Sequence, residues 1–145
     1  MGKTKQIISK ERVRDYGEVF TAEREVKAMC DLFHNEIWDN IASSFLEPAC
    51  GEGVFILEIL KRKFERCKKR NDYTIALQSV YGMDIQADNV ETCINNIIDL
   101  CEHTFKITKS EKEIIKNHIM QADSLKVMQM IVDMQEKEKG GATNE

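Results

Sequence analysis

The chain predicts an α/β fold of about three parallel strands with flanking helices, and three observations carry that prediction. Phe45-Leu46-Glu47-Pro48-Ala49-Cys50-Gly51-Glu52-Gly53-Val54-Phe55-Ile56 passes from an apolar start through an acidic residue, a proline and two glycines into an apolar-periodic run, which spells strand, tight turn, helix. Two further short apolar runs, Val80-Tyr81-Gly82-Met83-Asp84 and Ile119-Met120-Gln121-Ala122, end on or just before an aspartate. Between the runs lie segments with apolar residues at helical spacing.

The 145 residues, 42% hydrophobic, suffice for one modest core and not two. Residues 1–16 read as a flexible, basic-leaning arm, 17–138 as the folded unit, and 139–145, with Gly140-Gly141, as a disordered tail. A net charge of -4 gives no global basic field, which counts against an isolated nucleic-acid binder. The five cysteines lack any Cys-x-x-Cys pair and read as reduced, buried small hydrophobes of a cytoplasmic protein, with no metal site. No run has the apolar length of a membrane span. Gly2 resembles a myristoylation start, but Gln6 stands where Ser or Thr is wanted.

In chain order, Thr21 is a good N-cap for a helix whose Glu23 and Glu25 suit the positive end of its dipole. Val26, Met29, Cys30, Phe33 and Ile37 share one face, Trp38 and Ile41 continue it, and Ser43-Ser44 ends it. After the first strand, Gly51 and Gly53 can take φ > 0 and let a ligand approach the main chain, facing the unpaired N–H groups of the next helix. An ordinary strand-to-helix connection is the alternative.

That helix buries Phe55, Ile59 and Phe64, then meets Lys61, Arg62, Lys63, Arg66, Lys68, Lys69 and Arg70. This basic run reads as a solvated, dipole-complementing terminus rather than a phosphate stripe. Asn71-Asp72 breaks the helix, and a short helical patch follows around Thr74 to Gln78. Asp84, ending the second strand, is placed either to accept ribose hydroxyls beyond the sheet's carboxyl edge or to cap the following helix. That helix turns Val90, Cys93, Ile94, Ile97 and Cys101 toward the sheet. Ser110-x-x-Glu113 has capping-box spacing within a helix over residues 108–118. Asp123 or Ser124 caps a last helix from Leu125 to about Glu136, with Met128, Ile131 and Met134 as core positions.

Glu47-Pro48-Ala49-Cys50-Gly51-Glu52-Gly53 with Val54-Phe55 resembles the S-adenosylmethionine-binding motif of amino-group DNA methyltransferases. Phe20-Thr21, Tyr81-Gly82-Met83-Asp84-Ile85 and Gln121-Ala122-Asp123 follow the same family's order, so the resemblance spans nearly the whole chain. It implies a partial Rossmann-like methyltransferase fold with S-adenosyl-L-methionine as cofactor. Phe20 and Thr21 would lie at its methionine end, Glu47, Pro48, Ala49, Cys50, Gly51 and Gly53 would form the turn, Asp84 would hold the ribose, Ile85 would pack on the adenine, and Asp123 would accept from the adenine amine.

The resemblance covers only the cofactor-binding half of such an enzyme. The segment that holds the target amine, Asn/Asp/Ser-Pro-Pro-Tyr/Phe/Trp, needs two prolines, and this sequence has one, Pro48. A base amine is a poor nucleophile and needs acceptors for its protons and an aromatic plate to align it. No residue here is assigned either task. The implied function is a cofactor-binding fragment of a restriction-modification DNA adenine-N6 methyltransferase, inactive alone, reaching DNA only through missing regions or a partner chain. A non-catalytic assembly or regulatory module is the alternative, self-associating through an exposed first-strand edge. A nicotinamide module would want a third glycine where Ile56 stands, and a phosphate loop a Gly-Lys-Ser/Thr that does not occur.

Overall fold

The computed structural model describes residues 23–142. Three parallel strands, β1 (Phe45–Glu47), β2 (Val80–Asp84) and β3 (Ile119–Gln121), form one sheet in the order β1-β2-β3. Phe45 pairs with Val80, and Gly82 pairs with both Glu47 and Ile119. Parallel neighbours need crossovers. Helices α3 (Val54–Glu65) and α4 (Arg70–Gln78) make the first, and α5 (Ala87–Glu102) and α6 (Lys109–His118) make the second. Helices α1 (Glu23–Cys30) and α2 (Asn35–Asp39) precede the sheet, and α7 (Ser124–Ala142) follows it.

Side chains alternate across a strand. Phe45, Val80 and Ile119 therefore point to the core side, where they meet Ile56 and Leu60 of α3, Ala76 and Leu77 of α4, Cys93, Ile97 and Cys101 of α5, and Ile115 of α6. Leu46, Tyr81 and Met120 are exposed on the opposite side. No helix of the described residues is long and apolar enough to cross a membrane. All five cysteines are free, four of them buried. Burial pushes the Cys67 thiol up to about 11 and that of Cys101 up to about 12, so both remain protonated and inert near neutrality.

The structure corrects several sequence expectations. The face from Val26 to Ile41 belongs to two short helices, not one. After Cys30 the chain tightens into three-residue turns, Leu32 N–H donating to Met29 O and Phe33 N–H to Cys30 O, both at 3.2 Å. This break lets Trp38 enter the core and stack on Phe45 at 5.3 Å, while Met29 and Phe33 stay half exposed.

The basic run is a solvated terminus only in part: Lys61, Lys68, Lys69 and Arg70 are exposed, whereas Arg62, Lys63 and Arg66 are engaged. Lys63 is fully buried, its Nζ donating to Ile41 O at 2.8 Å and Ser43 O at 2.7 Å, and burial holds the ammonium down at about 8. Arg62 bridges Asp31 and Glu58, each at 2.8 Å, and lies over the Trp38 ring. Arg66 reaches Asp39. These three cations fasten the segment before β1 onto α3.

Asp72 does not break a helix. It sits in the first turn of α4, its Oδ2 accepting from Lys68 N at 2.8 Å and Lys69 N at 3.1 Å. The capping box of α6 is Thr108 with Glu111, not Ser110 with Glu113. Glu111 Oε2 also accepts from Arg70 Nη1 at 2.9 Å and Thr74 Oγ1 at 2.7 Å, tying α6 to α4. The Arg70 guanidinium holds its carboxyl down at about 2. Finally, α7 runs on to Ala142, so residues 139–142, expected in a disordered tail, are helical. Met128, Ile131 and Met134, expected in the core, are at least half exposed.

Candidate functional site

The carboxyl ends of β1 and β2 meet at the glycine turn, and that of β3 lies beside the end of β2. Glu47 Oε1 accepts from Ala49 N at 3.1 Å and bends the chain through Pro48. Burial raises the Glu47 carboxyl above its ordinary range, and the Ala49 N–H acts against the rise. Cys50 N–H donates to Met83 O at 2.8 Å, which hooks the turn onto β2. Gly51 and Gly53 follow with φ of 54° and 99°, the left-handed region that a side chain disfavours.

The two glycines differ in their surroundings. Among the described residues, a Cβ on Gly51 would meet nothing within 4 Å, so these leave that side of the turn open to an approaching group. A Cβ on Gly53 would lie 2.8 Å from Cys93 Sγ, so Gly53 also lets the turn sit against α5. Among the described residues, no side chain caps α3, and its first N–H groups face the turn. Asn96 Nδ2 holds the turn from α5 by donating to Glu52 O at 2.9 Å.

Asp84 is the hub. Its Oδ2 accepts from Gly51 N at 2.9 Å, and its Oδ1 accepts from Gln86 N at 2.8 Å and Asn89 Nδ2 at 3.2 Å. Its main-chain oxygen accepts from Ala122 N at 3.0 Å, which brings the tip of β3 alongside. Ile85, 47% exposed, presents an apolar surface next to it, and its carbonyl accepts from Gln121 Nε2 at 3.2 Å. Asp123 lies just beyond, its Oδ1 accepting from Leu125 N at 3.1 Å and Lys126 N at 3.4 Å. It therefore caps α7, one of the two roles open to it in the sequence.

Glu47, Pro48, Ala49, Cys50, Gly51, Gly53, Asp84, Ile85 and Asp123 are thus gathered at one end of the sheet; Phe20 and Thr21 lie outside the described residues. An open groove of about 380 Å3, lined by Val90, Ile94, Lys116 and Gln121 among others, runs along α5 and adjoins the site through Gln121. Chemically, the site offers a carboxylate, open main-chain amides and an apolar shelf, which suits a polar ligand with one flat apolar part. Among the described residues it holds no nucleophile hydrogen-bonded to a base.

Sequence reasoning missed Asn89 and Gly82. Asn89 shares the buried face of α5 with Cys93, Ile97 and Cys101, and a polar residue on such a face is itself the signal. Gly82 is the close-approach glycine of β2: a Cβ there would lie 2.6 Å from Ile56 Cδ1 and 3.2 Å from Cys50 Cβ. No family model, curated protein or solved structure matches the chain.

Proposed function

We propose that this chain is the S-adenosylmethionine-binding part of a Rossmann-like DNA adenine-N6 methyltransferase of the restriction-modification type, and that it does not transfer a methyl group by itself. The observation that carries this reading is the 2.9 Å bond between Gly51 N and Asp84 Oδ2, between residues 33 apart in sequence. It joins the glycine turn to the acidic strand end, the two features that an adenosyl ligand needs side by side. Ile85 and Asp123 border the same place, where adenine would lie. The absence of a second proline, and so of the amine-holding segment, supports the inactive state.

Calorimetry with S-adenosylmethionine, S-adenosylhomocysteine and NAD tests the reading. Saturable heat with the first two and none with NAD is expected, and Asp84→Ala abolishes it. Binding of NAD alone would reverse the assignment.

A second reading, a non-catalytic assembly or regulatory module, is favoured by the outer edge of β1, which no strand of the described residues pairs, and by α7, on which Leu125 is 77% and Met130 63% exposed. Light scattering distinguishes it: a stable monomer at micromolar concentration that binds S-adenosylhomocysteine counts against it.

A further inference from the structure

We propose that Cys50 of the glycine turn and Cys93 of α5 form an oxidation site: hydrogen peroxide oxidises Cys50, Cys93 resolves the product, and a disulfide ties the turn to the helix. The proposal stands apart from the adenosyl-ligand reading. The two residues meet around Gly53. Its main-chain N–H donates to Cys50 O at 2.9 Å, and a Cβ on it would lie 2.8 Å from Cys93 Sγ. The two thiols are also hydrogen-bonded to each other. The other three cysteines stand elsewhere. Cys30 lies near Arg62 and Glu58, Cys67 Sγ donates to Lys63 O at 3.4 Å, and Cys101 lies near Glu111.

The two sulfurs differ in access. Cys50 is 7% exposed and Cys93 0%, so a small oxidant meets Cys50 first. The hydrogen bond to Cys50, and burial, raise the Cys93 thiol far above its ordinary range, so Cys93 stays protonated and donates toward the Cys50 sulfur. The Cys50 sulfur attacks one peroxide oxygen, and the O–O bond breaks. The departing hydroxide takes the proton that Cys50 gives up and leaves as water, and the sulfur, oxidised by two electrons, becomes a sulfenic acid. Cys93 Sγ then attacks that sulfur and displaces hydroxide, which carries off the Cys93 proton as a second water. Two thiols and one peroxide thus give one disulfide and two waters. The bond brings the sulfurs to about 2.05 Å and draws the turn onto α5, where Asn96 Nδ2 already holds Glu52 O at 2.9 Å.

Treatment of the reduced full chain with hydrogen peroxide, followed by alkylation of the remaining thiols in denaturant and peptide mass mapping, tests this. A cross-link between Cys50 and Cys93 within one chain is expected, with Cys30, Cys67 and Cys101 alkylated, and dithiothreitol restores all five thiols. In Cys93→Ala the sulfenic acid has no thiol to resolve it, so dimedone, which traps sulfenic acids, labels Cys50 about tenfold more than in the wild type. Should Cys93→Ala fail to fold, Cys93→Ser removes the thiol with less change in volume and is expected to give the same gain.

Five alkylated cysteines after peroxide treatment, a cross-link between any other two, Cys50 oxidised past the sulfenic acid beside a Cys93 that still alkylates, or equal dimedone labelling in wild type and variant would overturn the proposal. Each of these results leaves the adenosyl reading intact.

Discussion

On the core side of the sheet, Ile56, Leu60, Val80, Ile97 and Ile119 are at most 3% exposed, whereas on the other side Leu46 is 56%, Tyr81 36% and Met120 44% exposed. Around the core side, Lys63 and Glu111 are buried and hydrogen-bonded, whereas on α7 Leu125, Met130 and Met134 are exposed. Apolar burial is the main favourable term in folding, and a buried charge is tolerated only where its partners are fixed. The difference teaches that the helix-covered side holds the glycine turn and Asp84 in place, whereas the opposite side is exposed at Leu46, Tyr81 and Met120 and buried among the described strand residues only at Met83.

Five measurements would break or sharpen that contrast. The largest effect is expected from Gly82→Val, because a Cβ placed 2.6 Å from Ile56 Cδ1 and close to Cys50 Cβ has no room on the core side. Urea unfolding should show a loss of about 3 kcal/mol. Tyr81→Val, one residue away but pointing to the exposed side, should cost less than about 1 kcal/mol. Equal losses from the two would erase the distinction between the sides.

Lys63→Met comes next. It strips the carbonyls of Ile41 and Ser43 of their donor, for an expected loss of about 2 kcal/mol. Lys61→Met, at an exposed position of the same helix, should stay within about 0.5 kcal/mol. The pH dependence follows from the folded Lys63 value of about 8, which lies below its ordinary 10.5. Between those two values the unfolded chain binds more protons than the folded one, so the Lys63 contribution to stability rises with pH across that window. Melting curves from pH 8 to 10 should show this rise in the wild type relative to Lys63→Met.

Glu111 carries the opposite sign. Its folded value of about 2 lies below its ordinary 4.5, so its contribution is present above the latter and is lost as pH falls toward the former. With Arg70 44% exposed and partly screened, we expect about 2 kcal/mol to disappear across that range and Glu111→Gln to flatten the dependence. The smallest effect is expected on α7. Met128→Glu with Ile131→Glu should leave the unfolding free energy from urea titration within about 0.5 kcal/mol of wild type, since both side chains are at least half exposed. A larger loss would mean that this helix is part of the folding unit.

Much of this architecture was legible in the chain. β2 has the limits that its apolar run and terminal Asp84 indicate, and β3 closes before Asp123 as its pattern suggests. The glycine turn was legible because φ > 0 narrows the choice of residue. Helix limits were harder to read: a capping box can be written at Ser110 or at Thr108, and only the reach of Glu111 to Arg70 and Thr74 selects the latter. Lys63 was misread within the basic run because charge in a linear sequence indicates solvent, whereas the carbonyls that engage it lie about twenty residues upstream.

The sequence by itself determined the alternation of strand and helix, the bend at Gly51 and Gly53 and the acidic end of β2, since each depends on local backbone preference or periodicity. Only the tertiary structure decided that Asp84 bonds to Gly51 and Asn89, that Lys63 is an internal clasp, and that α7 keeps its methionines at the surface. Those outcomes depend on which distant groups meet and which are kept from water, and spacing along a chain carries no such distances.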